Sequence, residues 1–350
     1  MSQYLEKAIE ELQSNESGSE AGRVFHEFAN FCDQQLQSPS NIEDYERASK
    51  LKEDKQKEVN ELIKLNSKAG GKDAALHREL TKAKSWLALD NDEYKRLRDN
   101  RDAFMEKSIL NYLKCLTACD DYDGDAVRFA ALWLGNAGEE RVNRAASILD
   151  KVPSRKLVPL MNQLSSRLLS EKNEFQRLLM DLIVKICHDH PYHGLYQILA
   201  LTKTSANDDT AVSRQRAAVK VIELLKQQRR SRDVVSALDS TTLAYDKLAH
   251  IKTEKKKDNN RMTLSILLQK GARKFERDIP SYGTPPPTMH IDVRADCDYS
   301  RLPRIARYEP SVSIASGLSL PKVIKCLASD GTTFKQLVLR INSLAIVAHC

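Results

Sequence analysis

The sequence predicts a mainly α-helical fold that ends in a small antiparallel β-sheet. Of its 350 residues, 29% are charged and only 6% are aromatic, and it contains 12 glycines and 11 prolines. This composition favours long helices over a turn-rich β architecture. Apolar residues recur every three to four positions through most of the chain, and they alternate with polar residues after about residue 288. The first period is typical of amphipathic helices and the second of half-buried strands.

The first hundred residues predict helices that cannot fold alone. After a loose hinge at residues 15–20, we expect helices over RVFHEFANFCDQQL, over the charged stretch 42–65 and over 73–97. Their apolar stripes are narrow, so each helix can form only one layer of a larger stack.

From about residue 103 the apolar stripes widen, and further helices follow at short intervals. They cover AFMEKSILNYLKCLTAC, DAVRFAALWLGNAG, RVNRAASILDKV, LVPLMNQLSSRLL, EFQRLLMDLIVKICHD and YHGLYQILALTK. Trp133 lies one turn after Phe129 on the same face, and Gly135 is placed as a helix stop. Short helices with short connections predict a helical-hairpin solenoid of degenerate TPR or HEAT type. Such solenoids are interaction scaffolds more often than enzymes.

After residue 205 the sequence predicts two more helices and then the sheet. The helices cover AVSRQRAAVKVIELLKQQRR and DVVSALDSTTLAYDKLAHIKT, and the breaker cluster IPSYGTPPPT follows. We expect strands over Thr288–Arg294 and SVSIASG, and a hairpin over PKVIKCLASDGTTFKQLV with Phe334 and Leu337 in its core. A sheet of three strands with no cover would be marginally stable.

The charge distribution argues against direct nucleic-acid binding. A net charge of +7 is spread over 55 cations and 48 anions. The basic clusters at 226–232 and 252–257 lack the interleaved aromatic residues on which bases stack, so a solvated face is favoured. A nucleic-acid adaptor that uses residues 226–257 stays an alternative.

Cysteine usage and the N-terminus indicate a soluble intracellular protein. Seven scattered cysteines with no CxxC spacing predict free thiols in a reducing compartment. They are Cys32, Cys115, Cys119, Cys187, Cys297, Cys326 and Cys350. The N-terminus is a polar amphipathic helix rather than a signal peptide, and no apolar window is long enough to cross a membrane.

The densest group of metal-ligating residue types is Cys187-His188-Asp189-His190-Pro191-Tyr192-His193. Zinc binds Cys and His in tetrahedral sets. However, adjacent side chains at a helix end point in different directions, and no second ligand pair at metal spacing lies nearby. A role at a helix junction is therefore favoured, and a metal site is the alternative.

The other cysteines and histidines do not predict a catalytic site. Cys115 and Cys119 are one helical turn apart in an apolar stripe, which favours core thiols over a redox pair. His26, His77 and His250 are isolated in sequence, without a nucleophile or an orienting carboxylate nearby. We expect no catalytic and no metal residue among them.

The segment Ser313–Lys322 links two strands through small residues. Small residues let a backbone approach a phosphate and present its N–H groups. An ordinary β-turn uses the same residues, so nucleotide binding and a plain turn are both compatible with this segment.

Three stretches carry a resemblance to a known family. LVPLMNQLSSRL, HDHPYHGLYQILAL, and PTMHIDV followed by LPKVIKCLASDGTTFKQLV resemble, in order and spacing, the C-terminal part of the phosphatidylinositol 3-kinase-related protein kinases. The ATM kinase and its fungal telomere-maintenance counterpart are the most similar members. FHEFANFCDQQL, LNYLKCL and the Trp133 helix also fit, so the resemblance covers about residues 22–338.

The resemblance implies four regions. Residues 1–205 would be the end of a FAT domain, a helical-hairpin solenoid that wraps the kinase. Residues 206–307 would be a helical lead-in with the first strand, and 308–338 the start of a PI3K/PI4K-like kinase N-lobe. Residues 339–350 would be an aberrant tail that matches nothing in the family.

The resemblance also implies a function for the intact family. These serine/threonine kinases use ATP and Mg²⁺ to phosphorylate Ser or Thr before Gln in the DNA-damage response and telomere maintenance. They work in the nucleus with DNA-break sensor complexes on chromatin, and they dimerise. The glycine-rich loop over the ATP phosphates would be Ile314, Ala315, Ser316, Gly317, Leu318, Ser319 and Leu320.

One departure from the family determines what we expect of this chain. The family continues the strand FKQLV with a Lys-Gly pair, and that lysine contacts the ATP phosphates, whereas this chain has Leu339-Arg340. Phosphoryl transfer also needs metal ligands and a catalytic aspartate, which the family carries in a C-lobe. We therefore expect a truncated, inactive fragment, altered after Val338 by a missed exon boundary or a frameshift, with no productive nucleotide binding. A non-enzymatic FAT-like scaffold for protein partners is the alternative.

Overall fold

A computed structural model confirms the predicted fold class, with helices followed by a small antiparallel sheet. It describes residues 2–12, 16–68, 73–203, 208–251, 261–263, 279, 281–315, 320–341 and 344–349. The chain divides into two compact units, Met1–Val152 and Pro153–Cys350. In the residues just given, no helix is long and apolar enough to cross a membrane. The domain boundaries at 205, 307 and 338 stay predictions.

The first unit consists of helices. They are α1 (Ser2–Leu12), α2 (Ser19–Gln37), α3 (Pro39–Lys68), α4 (Ala74–Ala118), α5 (Asp125–Gly135) and α6 (Glu140–Ala145), followed by a 3₁₀-helix over Ala146–Lys151. The predicted break between residues 97 and 103 was wrong, because α4 runs through it for 45 residues. No Gly or Pro interrupts that stretch, and Asp73 caps its start by accepting hydrogen bonds from the backbone N–H groups of Ala75 and Leu76.

The core of the first unit forms where α2, α4 and α5 pack together. Trp133 is fully buried and stacks on Phe129 with ring centroids 5.5 Å apart, which confirms their predicted common face. The Trp133 Nε1 donates to Asn143 Oδ1 at 3.2 Å, so the polar atom of the indole is paired.

A buried carboxylate joins the three helices. Asp33 on α2 accepts two hydrogen bonds from Arg128 on α5, at 2.8 and 2.9 Å, and one from Tyr112 on α4 at 3.1 Å. Gln37 donates a fourth at 2.7 Å. Burial alone would raise the pKa of Asp33, but these hydrogen bonds outweigh it and hold the pKa below its ordinary value.

The helices of the second unit follow one another closely. Short 3₁₀-helices over Ser154–Lys156 and Val158–Leu160 lead into α7 (Met161–Arg167), α8 (Glu174–Asp189), α9 (Pro191–Thr202), α10 (Asp209–Gln227) and α11 (Arg229–His250). Helix α8 packs on α9, α9 on α10 and α10 on α11. This neighbour-on-neighbour packing is typical of a helical-repeat stack.

The described strands form one antiparallel sheet. They are β1 (Arg261–Thr263), β2 (Ile305–Tyr308), β3 (Ser311–Ile314), β4 (Lys322–Ala328), β5 (Thr333–Ile341) and β6 (Leu344–His349). Their order is β1-β3-β4-β5-β6, and β2 also pairs with β4. The predicted strand SVSIASG is confirmed over Ser311–Ile314, and its last two residues lie outside the described residues. The predicted β4–β5 hairpin is also confirmed, and the turn between β4 and β5 contains Gly331 at φ 88°.

The predicted strand at Thr288–Arg294 was wrong, because its backbone pairs with side chains instead of a neighbouring strand. The Ile291 carbonyl accepts from His193 Nε2 at 2.8 Å, and the Arg294 N–H donates to Tyr299 Oη at 3.2 Å. Alternation of apolar residues therefore does not mark a sheet strand here.

Helix α11 covers one face of the sheet. Its residues Tyr245, Leu248 and Ala249 form a buried cluster with sheet residues that include Ile324 and Val338. Side chains alternate between the two faces of a strand. Phe334 packs against this cluster as predicted, but Leu337, three residues later, lies on the opposite face, so its predicted core position was wrong. Gln336 and Val338 are buried in its place.

We expect Arg128→Ala to lower the free energy of unfolding of the first unit by about 1–3 kcal/mol, because it leaves the buried Asp33 carboxylate with fewer donors. The pKa of Asp33 is lower in the folded chain than its unfolded value of 3.8, so this carboxylate adds stability above pH 3.8 that is lost as the pH falls through the folded pKa. The difference in unfolding free energy between Arg128→Ala and the wild type should therefore shrink in acid. Both tryptophans lie in this unit, so tryptophan fluorescence during urea unfolding measures it.

Arg144→Ala is the matched control, because Arg144 pairs with Glu140 on the surface of α6 at 2.9 Å. Such an exposed pair contributes about 0–1 kcal/mol. Equal losses in the two variants would contradict the role given to Asp33.

Candidate functional site

The predicted glycine-rich loop connects β3 to β4, and the structure describes its two ends. Ile314 pairs with Lys322 across the strands, and the Ala315 N–H donates to the Pro321 carbonyl at 2.8 Å. Leu320 adopts a left-handed conformation with φ 45°. These contacts close the base of the hairpin. The tip, Ser316, Gly317, Leu318 and Ser319, lies outside the described residues, so its contact with phosphate stays a prediction.

Lys322, the first residue of β4, faces the core and not the loop. It is 2% exposed, and its Nζ donates to the Ala249 carbonyl at 2.9 Å, in the last turn of α11. Burial lowers the pKa of Lys322. A cation at a helix C-terminus interacts favourably with the negative end of the helix dipole, and it donates a hydrogen bond to a carbonyl that has no partner within the helix. This side chain therefore joins α11 to the sheet.

Strand β5 continues without interruption through the position of the family's lysine. Leu339 pairs with Ile346 of β6, in a register that runs from Gln336↔His349 to Ile341↔Leu344. The apolar residues after Val338 thus extend the sheet by a strand.

The histidine-rich run forms the junction between α8 and α9. Helix α8 ends at Asp189, His190 has a non-helical backbone with φ −129° and ψ 63°, and Pro191 starts α9, where a missing N–H costs nothing. Gly194 is required at this bend, because a Cβ there would lie 2.8 Å from Cys187 Sγ.

His190 is fully buried in a chain of hydrogen bonds whose directions can all be assigned. Ser154 donates its only proton to Asp189 Oδ2 at 2.6 Å, so Ser154 Oγ accepts from His190 Nε2 at 3.1 Å. The other ring nitrogen, Nδ1, then accepts from Tyr299 Oη at 2.7 Å. The two ring nitrogens thus have opposite roles, Nε2 as donor and Nδ1 as acceptor, which is the hydrogen-bonding pattern of a neutral imidazole.

The remaining histidines of the run have separate protein partners. His188 Nδ1 lies 2.6 Å from Ser231 Oγ on α11, and His193 Nε2 donates to the Ile291 carbonyl. Cys187 is buried, and burial raises the pKa of its thiol. The side chains of the run therefore point to different elements, as the helix-junction interpretation predicted.

Arg304 completes the junction next to a cavity of about 210 Å³. Its guanidinium donates to Tyr192 Oη at 2.7 Å, to the Gly283 carbonyl at 2.9 Å and to the Tyr299 carbonyl at 3.1 Å. Residues of α9, α11 and the segment 297–304 line this cavity. The arrangement fixes the segment before β2 on the helices, and it thereby positions the sheet.

The basic clusters are partly accounted for by the structure. Arg232 Nε donates to the Lys226 carbonyl at 2.9 Å, and the Arg230 guanidinium to the Cys297 carbonyl at 3.3 Å. Residues 252–257 lie outside the described residues. The Lys226–Arg232 cluster is thus used in internal contacts.

Sequence reasoning missed Ser154, Tyr299 and Lys322. Ser154 and Tyr299 are 36 and 109 positions from His190, and no local pattern links them. Lys322 did give a signal, since it shares a strand face with Ile324 and Cys326, both apolar and buried.

In the second unit, helices packed in series lead into an antiparallel sheet that has a helix on one face. This architecture is that of a helical-repeat scaffold joined to a kinase-type N-lobe. The family model for HEAT repeats of ATR-like serine/threonine-protein kinases matches residues 142–243. The serine/threonine-protein kinase tel1 of Aspergillus oryzae is 43% identical over 337 residues, which are 95% of this chain and 12% of the relative.

Solved structures agree with the sequence match. The FAT and kinase domain of CtTel1 aligns with a TM-score of 0.84 at 40% identity, over 96% of this chain and 22% of that one. The complete CtTel1 dimer with C2 symmetry aligns with the same TM-score over 96% of this chain and 12% of that one. The chain belongs to the Tel1/ATM type of phosphatidylinositol 3-kinase-related kinases, and it spans 12% of the length of the tel1 relative.

The His190 network predicts a loss of stability in mild acid. Burial lowers the pKa of His190 to about 4 from an unfolded value of 6.5. Between these values the unfolded chain binds a proton that the folded chain does not, so stability falls as pH falls, by about 1.4 kcal/mol per unit. Hydrogen exchange of α8 and α9 amides at pH 7 and pH 5 measures the effect.

His190→Gln should flatten this pH dependence, whereas the exposed His77→Gln should leave it unchanged. If His190→Gln keeps the wild-type slope, the neutral buried imidazole is not its cause.

Proposed function

We propose that the chain forms the FAT-type helical scaffold and part of the N-lobe of a Tel1/ATM-type serine/threonine kinase, and that by itself it transfers no phosphate. The proposed lack of phosphate transfer rests on Leu339, which lies in β5 at the position where the resemblance implies the phosphate-binding lysine of the family. Phosphoryl transfer depends on cations that neutralise the phosphates and on a positioned aspartate.

The described residues of the hairpin do not fit ATP phosphates. Lys322 is directed into the core and bonded to the Ala249 carbonyl, and Lys325 lies 3.4 Å from Glu309 on the surface. Neither ammonium is placed at the loop base. The proposal therefore includes no productive binding of ATP or Mg²⁺, and the loop from Ile314 to Leu320 would have a structural role in this chain.

For the whole protein, we propose the activity of its relatives. It would phosphorylate Ser or Thr before Gln in the nucleus, in the DNA-damage response and telomere maintenance, together with DNA-break sensor complexes. This rests on the 43% identity to tel1. Because the alignment covers 12% of that relative, the activity is assigned to the longer protein.

The helices would supply protein contacts, including those of a dimer. Large apolar side chains are exposed on the α3–α4 pair, where Leu51, Leu65 and Leu89 are 52%, 52% and 59% exposed and Trp86 51%. Exposed apolar side chains that group on one element mark interaction surfaces. The likeness to the C2-symmetric CtTel1 dimer favours a second copy of the kinase as one partner.

The direct test is a phosphotransfer assay. The purified chain is incubated with ATP, Mg²⁺ and a peptide that contains Ser-Gln, and phosphate incorporation is measured by mass spectrometry. We expect none, and none with Leu339→Lys either, since one lysine supplies neither metal ligands nor a catalytic aspartate.

The tel1 kinase of Aspergillus oryzae serves as the positive control, and a Ser-Ala peptide as the matched substrate control. Transfer by the wild-type chain to the Ser-Gln peptide, above the level with the Ser-Ala peptide, would contradict the proposal.

A further inference from the structure

Three metal-ligating side chains from three helices meet in the first unit. His26 on α2, Cys115 on α4 and Asp125 on α5 each offer a ligand atom, and these atoms all lie within 4.8 Å of one another. His26 Nδ1 is 2.9 Å from Asp125 Oδ2 and 3.0 Å from Oδ1. His26 is 99 positions from Asp125 in sequence, so only the fold reveals this group.

The group is nearly enclosed and its imidazole is held in orientation. Cys115 is fully buried and Asp125 is 5% exposed, while the His26 side chain retains 24% exposure. The Tyr122 ring stacks on the His26 ring, with centroids 4.2 Å apart and planes within 12°. Side chains fixed by packing in this way are preorganised for a ligand, because little conformational entropy remains to be lost.

A second thiol lies beside the first. Cys119 ends α4, and its thiol is within hydrogen-bond reach of Cys115. Helix α2 approaches this thiol at Gly22, one turn before His26, where an added Cβ would lie 2.1 Å from Cys119 Sγ. The glycine thus lets α2 pack closely against the end of α4, one turn before His26.

We propose that His26, Cys115 and Asp125 form a structural zinc site, to which Cys119 would add the fourth ligand after a rotation of its side chain. Zinc takes four N, S and O ligands in a tetrahedron at about 2.0–2.3 Å, which requires small side-chain rotations from the observed spacing. Two thiolates and an imidazole favour zinc over hard cations such as Ca²⁺ or Mg²⁺. Because all four ligands come from the protein, the ion would hold α2 to α4 and α5 and would have no open position for catalysis.

The competing interpretation is an ion pair between His26 and Asp125 with no metal. That pair accounts for the 2.9 Å contact but not for the Cys115 thiol next to the carboxylate. A bound divalent cation would replace the thiol proton and balance the buried charge, which couples binding to stability.

The test uses the full chain, reduced and stripped of metal by a chelator, and titrated with Co²⁺ as a spectroscopic probe. We expect one equivalent to bind and to give a thiolate-to-cobalt charge-transfer band with strong tetrahedral absorption in the visible range. Zinc should displace it. Cys115→Ser should lose most of the charge-transfer band, and His26→Gln should weaken zinc binding by about 10-fold or more.

Cys32→Ser is the matched control, because Cys32 is a buried free thiol on α2 outside the group. It should keep the cobalt spectrum, as should the exposed His77→Gln. A missing band, or a band that Cys115→Ser leaves intact, would overturn the proposal.

A stability measurement covers the case in which Cys115→Ser does not fold. His26 is partly exposed, so His26→Gln should fold. Zinc should raise the melting temperature of the wild type and of Cys32→Ser but not of His26→Gln. A melting temperature that zinc and chelator leave unchanged in the wild type would support the plain ion pair and overturn the zinc site.

Discussion

The packing of α11 against one face of the β-sheet determines whether the second unit can be stable. A small sheet with an open face buries too little apolar surface. Here Leu248 and Ala249 of α11 lie against Val312, Ile324 and Val338, all buried. The buried polar atoms at this contact are paired, as such atoms must be. Lys322 Nζ bonds to the Ala249 carbonyl, and Tyr245 Oη donates to Gln336 Oε1 at 2.6 Å while it lies 2.9 Å from Tyr308 Oη.

This contact sets the base of the predicted phosphate loop. Ile314 and Lys322 end and start the two strands of the hairpin, and both are buried on the side of α11. The same lysine that fixes the hairpin is thereby removed from the loop. The sheet and the closed base of the hairpin therefore depend on Lys322, whose ammonium is bonded to α11.

Local patterns predicted most of the helices and the β4–β5 hairpin, but not β1, β2 or β6. Helical periodicity predicted most helices, and the Ser329-Asp330-Gly331 turn predicted the β4–β5 hairpin. The alternation of apolar and polar residues wrongly predicted a strand at 288–294. Such a pattern indicates that one side of a segment is apolar, but not which element packs against that side. The break predicted in α4 had no Gly or Pro to cause it. These errors arise where tertiary contacts, and not the local period, decide the structure.

The sites depend on contacts that no local pattern contains. His190 acquires its defined tautomer from Ser154 and Tyr299, and His26 meets Asp125 only after α2, α4 and α5 have packed. The family resemblance implied a kinase N-lobe for the hairpin, and a lysine at the position that Leu339 occupies. The burial of Lys322 could have been inferred from its strand face, yet its partner on α11 could not.

Hydrogen exchange of the β4 amides tests most directly whether α11 holds the sheet through Lys322. Lys322→Met keeps most of the apolar stem and removes the hydrogen bond to Ala249, and Lys325→Met alters the exposed face of the same strand. We predict that exchange in β4 and in the last turn of α11 rises about tenfold in Lys322→Met, from the loss of a charged hydrogen bond. Lys325→Met should match the wild type. Unchanged protection in Lys322→Met would contradict the account.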